Sequence, residues 1–468
     1  MKAEKIKEIL EAKDYFVKAS EAANEIGVEV FVVGGYVRDL FLQRKLDDVD
    51  ILVVGNGLEF AEKLARKLGV KDVNFFKNFG TAHFFYKEID LEFVGARKES
   101  YSEESRNPVV EIGTFDDDIN RRDFTINTLA ISLNKKDFGK LIDKFNALED
   151  LKAGLIKTPL DPVVTFNDDP LRILRAFRFA AQLNFKPDKS LVSAAAQLAD
   201  RLKIISQERI TDEFFKILAS PEPSVGLRLL YDTGVMKVIF PEIANLGGVE
   251  QRKDFHHKDV FLHTLQVVDN IAKVSDNVWL RFAGLMHDIA KPATKKFDEN
   301  IGWTFHGHEE KGARWMKYIF KRMKLPLTKL DYVRKLVRLH LRPIALVSDD
   351  VTDSAIRRFI VAVGEDLEDM ITLCRADITS KNPAKVSKYL ANYDKVMDKV
   401  RDVKERDKLR EFQSPVRGDE IMKICNIPPS KKVGEIKKNI EDAILDGKIG
   451  NNYEEAFKYL MKIKDDFL

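Results

Sequence analysis

Short apolar runs with turn residues at their ends dominate the first part of the chain, and helical periods dominate the rest. Val28–Val33, Ile51–Val54, His83–Phe85 and Ile89–Val94 are β-branched or aromatic, which predicts strands. Leu58–Leu68 between them reads as a helix, and Ile6, Ile9, Leu10, Tyr15 and Phe16 suit an amphipathic N-terminal helix. After about Asp143 the strand signals fade. Helical spacing then covers Leu171–Leu183, Leu191–Leu202, Ile210–Leu218, Phe261–Val274, Arg281–Ile289 and Gly312–Met323. The pattern predicts an α+β chain: a small mixed-sheet head over 1–155, a helical neck over 156–250, a helical segment over 251–380 and a helical tail over 381–468. The body after the head is expected to be elongated and all-helical.

Composition narrows this picture in a few places. The 468 residues suggest about three domains at roughly 100–200 residues each. With 44% apolar and 33% charged residues the chain is a folding one, not a disordered one. The formal net charge of +3 neither announces nor excludes a nucleic-acid partner, so any basic surface must be local. The most basic stretch is Lys311–Arg342, which reads equally as a solvated helix face or a phosphate-contacting surface. Cys374 and Cys425 cannot build a disulfide framework and fit a reducing, cytoplasmic setting. The N-terminus lacks the apolar core of a secretory signal, and no apolar run is long enough to span a bilayer. Histidine is unevenly placed: seven of 8 fall between His256 and His340, which predicts a metal site there.

The densest chemistry of the head begins at Val30. A strand runs into Gly34-Gly35, and a helix carrying Arg38 and Asp39 follows. Two glycines at a helix start let backbone N–H groups approach an anion closely. Asp48 and Asp50 then sit two apart on the strand leading into Ile51–Val54, so both carboxylates point to one face. Like charges that close call for a cation, and Mg²⁺ shared with substrate phosphates is the natural one. The same parity puts Asp90 and Glu92 on one face of a further strand; Asp90 is the favoured third carboxylate. Three acids around two metals form an apparatus for phosphoryl or nucleotidyl transfer.

These motifs carry a resemblance. Gly34-Gly35-Tyr36-Val37-Arg38-Asp39 followed by Asp48-Val49-Asp50 resembles the head of the class II tRNA nucleotidyltransferase/poly(A) polymerase family. Asn120–Asn127 is similar to the motif that holds the incoming nucleotide, which implies that role for Arg122, Asp123 and Asn127. Asp168–Phe179 is similar to the base-selecting motif, with Asp168 where the family usually has Glu. The resemblance implies that Asp169 and Arg172, three apart on a predicted helix, select the base. A carboxylate accepts from an exocyclic amine and a guanidinium donates to ring nitrogens or a carbonyl, so one pair can accept both C and A. Arg175 and Arg178 continue the row and are expected to bind the triphosphate. In the family a flexible loop near Ser100–Asp118 helps switch from C to A addition, and the polar stretch Tyr101–Pro108 fits such a loop.

The middle segment carries a second resemblance. His263, His287-Asp288 and Asp377 occur in the order of the HD phosphohydrolase superfamily, with His308 and His340 similar to the extra ligands of its dinuclear members. Imidazoles with carboxylates suit transition-metal ions such as Mn, Fe, Ni or Zn. In the tail, Gly434 beside lysines is a candidate phosphate cradle.

The resemblance implies template-independent addition of CCA to a tRNA 3′ end from CTP and ATP, with release of pyrophosphate and no membrane partner. Asp48, Asp50 and Asp90 are the expected catalytic residues, with Mg²⁺ on the first two. Gly34, Gly35 and Arg38 join the nucleotide-binding set. The rivals are a poly(A) polymerase of the same family and an HD phosphohydrolase acting on nucleotides or tRNA cyclic phosphate.

Overall fold

The computed structural model describes residues 3–46, 48–76, 80–102, 105–249, 259–300, 302–348, 351–380, 382–407 and 414–467, without the side chains at 99–110 and 406–407. They form two compact units, Met1–Asn245 and Leu246–Leu468.

The first unit opens with α1 (Ala3–Glu11) and α2 (Asp14–Ile26) and then builds a seven-stranded mixed sheet. Its strands are β1 (Glu29–Val33), β2 (Asp48–Val54), β3 (Asn74–Phe76), β4 (Thr81–Tyr86), β5 (Ile89–Gly95), β8 (Ala130–Ser132) and β9 (Leu141–Ile142), in the spatial order β3-β4-β5-β2-β1-β8-β9. Only β2 and β5 pair in parallel within it. Strand alternation decides the faces. Val49, Ile51 and Val53 are buried on one side, where α4 (Gly57–Leu68) brings Phe60 and Leu64 to close the core. Asn56 starts α4 at that place by accepting from Leu58 N and Glu59 N. The opposite face carries Asp48 and Asp50. Toward β1 it is covered by Phe31, Val33, Leu52 and Ala130 against Ile119 of α5 (Phe115–Asn120). α3 (Gly35–Phe41) leaves the end of β1.

The polar loop expected over Ser100–Asp118 is corrected by the structure. β6 (Arg97–Ser102) and β7 (Ser105–Ile112) pair as an antiparallel ribbon, and Thr114 then caps α5 in a capping box with Asp117. The β-branched residues Val109, Val110 and Ile112 favour strand over loop. Glu103 and Glu104 lie outside the described residues.

The neck follows as α6 (Ala147–Ala153), α7 (Pro162–Asp168), α8 (Leu171–Leu183), α9 (Lys189–Gln197), α10 (Gln207–Leu218) and α11 (Pro223–Asp232). The single helix predicted over Leu191–Leu202 breaks at Leu198, and a 3-10 turn spans Ala199–Ile204. Its spacing of three puts Ala199 and Leu202 inward together, so tertiary burial overrides the α period. α11 crosses close to α8 and α10 because Gly226 has no side chain. A Cβ there would stand 2.7 Å from Ile217 Cγ2 and 2.9 Å from the Phe177 carbonyl oxygen.

In the second unit, helices Val260–Ala272, Val278–Met286, His308–Arg322, Leu330–Leu339 and Leu367–Ala376 form a bundle with a polar interior site. The tail helices Gly418–Cys425, Lys431–Leu445 and Tyr453–Ile463 share a core of Ile421, Ile436, Ile440 and Leu460. Gly434 lies inside the second of these helices, so it forms no glycine turn ahead of it. The basic stretch Lys311–Arg342 folds into helices in which four of the cations are in ion pairs. Arg338 and Arg314 reach Glu310 at 2.8 and 3.5 Å, Arg334 reaches Asp331 at 2.6 Å and Lys335 reaches Asp366 at 2.7 Å. No helix among the described residues is long and apolar enough to cross a membrane.

Gly226→Ala tests the close crossing. Overpacking against backbone is expected to destabilise the first unit by about 1–3 kcal/mol. All 3 tryptophans (Trp279, Trp303 and Trp315) lie in the second unit. The readout is therefore faster hydrogen exchange in α8 and α11; unchanged protection would refute the crossing.

Candidate active site and metal centre

The parallel pairing of β2 with β5 places four acids in two rows on one sheet face. Asp48 stands opposite Asp90, and Asp50 opposite Glu92. Asp48 is exposed and Asp50 partly buried. Burial raises the Asp50 pKa, Arg122 opposes the rise, and Asp48 adds to it. Burial likewise raises the Glu92 pKa, with Asp50 and Asp90 adding. Asp90 Oδ1 is buried without a hydrogen-bond partner. Crowded carboxylates with an orphaned oxygen are the donor set of a hard divalent cation, so the residues fit one.

Gly34 belongs to this cluster by geometry. Its φ is 72°, and a Cβ would lie 3.0 Å from Asp50 Oδ2 and 3.2 Å from Arg122 Nη1. Glycine alone lets the turn, the acid and the guanidinium come together. Arg38, one turn on, is buried and held: it donates to Asp39 and, through Nη1, to Asn127 Oδ1 at 2.9 Å.

Arg122, Asp123 and Asn127 come together as the motif resemblance implies. Asp118, fully buried, accepts from both Arg121 and Arg122 and fixes that pair. Asp123 accepts from Asn127 Nδ2 at 3.0 Å and from Arg175 Nε at 2.8 Å. Burial opposes the charge on Asp123, but Arg175, Asn127 and Arg172 outweigh it and hold the pKa down at about 2. Arg175 and Arg178 also approach Glu213 Oε1, at 3.8 and 3.3 Å. Arg38, Arg175 and Arg178 all lie over the Phe179 ring, 5.0, 5.7 and 4.6 Å from its centroid. The cations thus gather around one aromatic ring and are separated by carboxylates.

Asp169 and Arg172 do not share a helix. Asp169 is extended (φ −140°, ψ 101°) and ends α7, and α8 starts only after Pro170. The residue before a proline is driven from the helical region, which accounts for the correction. The two still meet, because Arg172 N donates to the Asp169 carbonyl at 3.0 Å. The Arg172 guanidinium is held by the Arg121 carbonyl at 2.7 Å and the Thr165 carbonyl at 3.4 Å. Asp169 Oδ1 accepts from Leu171 N, and Oδ2 faces Arg209 at 3.2 Å.

These groups line one cleft of about 460 Å³, including Asp50, Arg121, Arg122, Asp123, Asp169, Arg172 and Arg175. That volume is in the range of small-ligand sites. Arg178 is not among the lining residues. Arg121, Arg209 and Glu213 are, and sequence reasoning missed them. The signal was present for the last two: Arg209 and Glu213 are four apart on α10, one turn of a single face.

In the second unit His263, His287, Asp288, His308, His340 and Asp377 converge; His306 is exposed outside them, and His256 and His257 lie outside the described residues. Two overlapping groups, His263/His287/Asp288 and Asp288/His308/His340, each have ligand atoms within 4.8 Å. Asp288 joins them. Its Oδ2 faces His287 Nε2 at 3.2 Å and His263 Nε2 at 3.6 Å, and its Oδ1 faces His308 Nε2 at 3.2 Å. Asp377 Oδ1 lies 2.9 Å from His263 Nε2. Every imidazole has Nδ1 against an oxygen: Thr379 Oγ1 at 2.9 Å for His263, and the carbonyls of Gly284, Phe305 and Val337 at 2.6, 2.8 and 2.7 Å for the others. The three carbonyls can only accept, which fixes a proton on Nδ1 of His287, His308 and His340 and turns each Nε2 inward toward the carboxylates, the orientation metal ligands require; the Thr379 hydroxyl can serve His263 either way. Burial opposes charge on His287, but Asp288 and Asp377 push its pKa up to about 10; burial and the His287 charge push His340 down to about 4. His287 Nε2 is buried without an aligned hydrogen-bond partner. Such a set fits divalent metal ions, which His263, His287, Asp288, His308, His340 and Asp377 would hold. Lys291 Nζ also contacts Asp288 Oδ2 at 2.6 Å, a residue the sequence reading passed over.

Comparison with known proteins agrees with this geometry. Residues 30–157 match the family model of the poly A polymerase head domain, 184–246 that of the probable RNA and SrmB-binding site of polymerase A, and 260–379 that of the HD domain. An A-adding tRNA nucleotidyltransferase of Aquifex aeolicus is 44% identical over 202 residues, 41% of this chain and 24% of that protein, so the match spans about a quarter of that relative's length. A multifunctional CCA protein of Psychromonas ingrahamii is 34% identical over 310 residues, 64% of this chain and 71% of that protein. A solved CCA-adding enzyme in an apo form superposes with a TM-score of 0.64 at 25% identity, over 96% of this chain and 93% of the other. With its carboxylate face, its Asp/Arg cleft and its histidine centre all in the matching segments, the chain belongs to the class II tRNA nucleotidyltransferase/poly(A) polymerase family with an HD domain.

Proposed function

We propose that the chain completes tRNA 3′ ends in the cytoplasm, adding C, C and A from CTP and ATP without a template and releasing pyrophosphate. The observation that carries this is the meeting of Asp50, of the paired strand acids, with Asp169 and Arg172 in one cleft. Asp48 and Asp50, with Asp90 opposite, would hold Mg²⁺, which would lower the pKa of the primer's terminal hydroxyl and neutralise charge on the triphosphate. Arg122, Asp123 and Asn127 position the nucleotide, with Gly34 keeping the turn close to its phosphates. Arg175, paired with Asp123 at 2.6 Å, would bind the triphosphate. Asp169 accepts from the exocyclic amine of C or A and Arg172 donates to the ring, so a base without that amine is refused.

Trimmed tRNA incubated with each nucleotide singly and together, followed by sequencing of the product, tests the assignment. CTP alone is expected to add two C, and CTP with ATP to complete CCA. Addition of A alone to an end that already carries CC would place the chain with its A-adding relative, and a long A tail with the poly(A) polymerases. Asp50→Asn is expected to lower addition by on the order of 10²–10³-fold, the scale of losing one electrostatic contact to a transition state.

The histidine centre favours a second activity in the same chain. His263, His287, His308 and His340, with Asp288 shared between them, would hold transition-metal ions such as Mn, Fe, Ni or Zn, which would supply an activated water for a phosphoester of a nucleotide or a tRNA cyclic phosphate. Elemental analysis of purified protein is expected to find such ions in wild type and to lose them in Asp288→Asn, with nucleotide addition retained. Equal metal content in both proteins would refute the bridging role.

A further inference from the structure

His83 is the one histidine of the first unit. His83 lies on β4, whose pairing with β5 sets His83 opposite Glu92 and Phe85 opposite Asp90. β3 sets Asn74 opposite His83 and Phe76 opposite Thr81. Residues directly opposite share a face, so the row of acids continues outward into Phe85, His83 and Phe76. The alternate residues Ala82 and Phe84 are fully buried in the core. Phe85 and Phe76 are nevertheless 62% and 48% exposed. The His83 ring stacks on Phe76 (5.8 Å, 10° between planes) and meets Phe85 edge-on (5.9 Å, 87°). Its Nε2 lies 3.3 Å from Asn74 Nδ2, and its Nδ1 faces Asp90 Oδ1 at 3.4 Å without a hydrogen bond between them. The result is an ordered, water-facing aromatic shelf that starts one strand beyond Asp90.

We propose that Phe76, His83 and Phe85 stack the 3′-terminal bases of the RNA primer and so seat its terminal hydroxyl over Asp48, Asp50 and Asp90. The inference rests on the nucleotidyl-transfer reading above. Three observations select this occupant. The shelf is continuous in register with the acids. From Phe85 to Asp48 is two strand spacings, about 10 Å, commensurate with one nucleotide. The acids lie between the shelf on β3–β4 and the part of the cleft lined by Val33, Arg122 and Arg172. In-line displacement needs the attacking hydroxyl and the departing pyrophosphate on opposite sides of the reacting phosphorus, so a primer on the shelf faces a triphosphate in the cleft. Finally, the primer's last base changes with each addition. A hydrogen-bonding reader would serve one base, whereas a ring face accepts any of them.

Steady-state addition to trimmed tRNA by Phe85→Ala, Phe76→Ala and Phe85→Trp tests the shelf. Each alanine variant is expected to raise KM for the RNA about tenfold, with KM for CTP and ATP near wild type, and Phe85→Trp to retain wild-type KM. A primer whose terminal nucleotide lacks its base is expected to cost the wild type a similar factor and to cost Phe85→Ala nothing further. An unchanged KM for RNA in both alanine variants overturns the shelf, as does equal loss with and without the terminal base. A shift in sedimentation with unchanged KM for RNA also overturns it and assigns the face to self-association. Wild-type protein that extends no primer sinks the nucleotidyl-transfer reading itself, a result distinct from active variants with unaltered KM.

Discussion

Carboxylate repulsion is the constraint around which the first unit is built. Parallel pairing of β2 with β5 forces Asp48, Asp50, Asp90 and Glu92 onto one face, where each addition of negative charge raises the cost of the next. The surrounding chain answers with fixed positive charge. Arg122 is brought to Asp50 across Gly34, and Arg122 is itself tied down by buried Asp118. From there alternating charges run onward through Asp123, Arg175 and Glu213 to Arg178. The series begins at α5's exit and continues over α8 and α10, so the electrostatics that make the acid cluster tolerable also lock the head to the neck. Removing one member of such a series leaves a buried charge uncompensated, which costs more than the pair contributes.

The second unit solves the same problem with imidazoles. Each of the four has its Nδ1 against an oxygen of a neighbouring turn or hydroxyl, so ring orientation is set by backbone and not by the ion. His287, His308 and His340 use carbonyls three residues earlier, at Gly284, Phe305 and Val337. Placing a histidine at the end of a helix or in a turn gives it that carbonyl for free geometry, and His287 and His340 do follow the last helical residues Met286 and Leu339. Lys291 on Asp288 supplies a positive charge on the same bridging carboxylate.

Much of this was legible in the sequence because period and parity are local. Strand alternation placed Asp48 with Asp50 and Asp90 with Glu92, while the set of His263, His287, Asp288 and Asp377 was implied only by the resemblance to the HD superfamily. What was not legible depends on partners distant in sequence. Nothing near Asp169 announces Arg209, and nothing near Arg172 announces the Arg121 carbonyl that holds it. The helix expected to carry Asp169 with Arg172 failed on Pro170, a local signal that was present and outweighed by the apparent i,i+3 spacing. The Ser100–Asp118 stretch failed differently: its polar composition resembled a loop, while cross-strand pairing made it a ribbon.

The restraint on the Asp/Arg pair bears on how a protein can choose a base without a template. Arg172 is pinned by two carbonyls, and Asp169 is held by a backbone N–H and by Arg209. Neither can swing to suit a different donor–acceptor pattern at low cost, so the pair presents a fixed edge, much as a template base would. A uracil or guanine edge then meets donor against donor or acceptor against acceptor, and an unmade hydrogen bond is expensive. Flexible side chains would rearrange to accept either class. Selectivity here is therefore a property of the atoms behind the pair as much as of the pair itself, and Arg209, held on α10, belongs to that support.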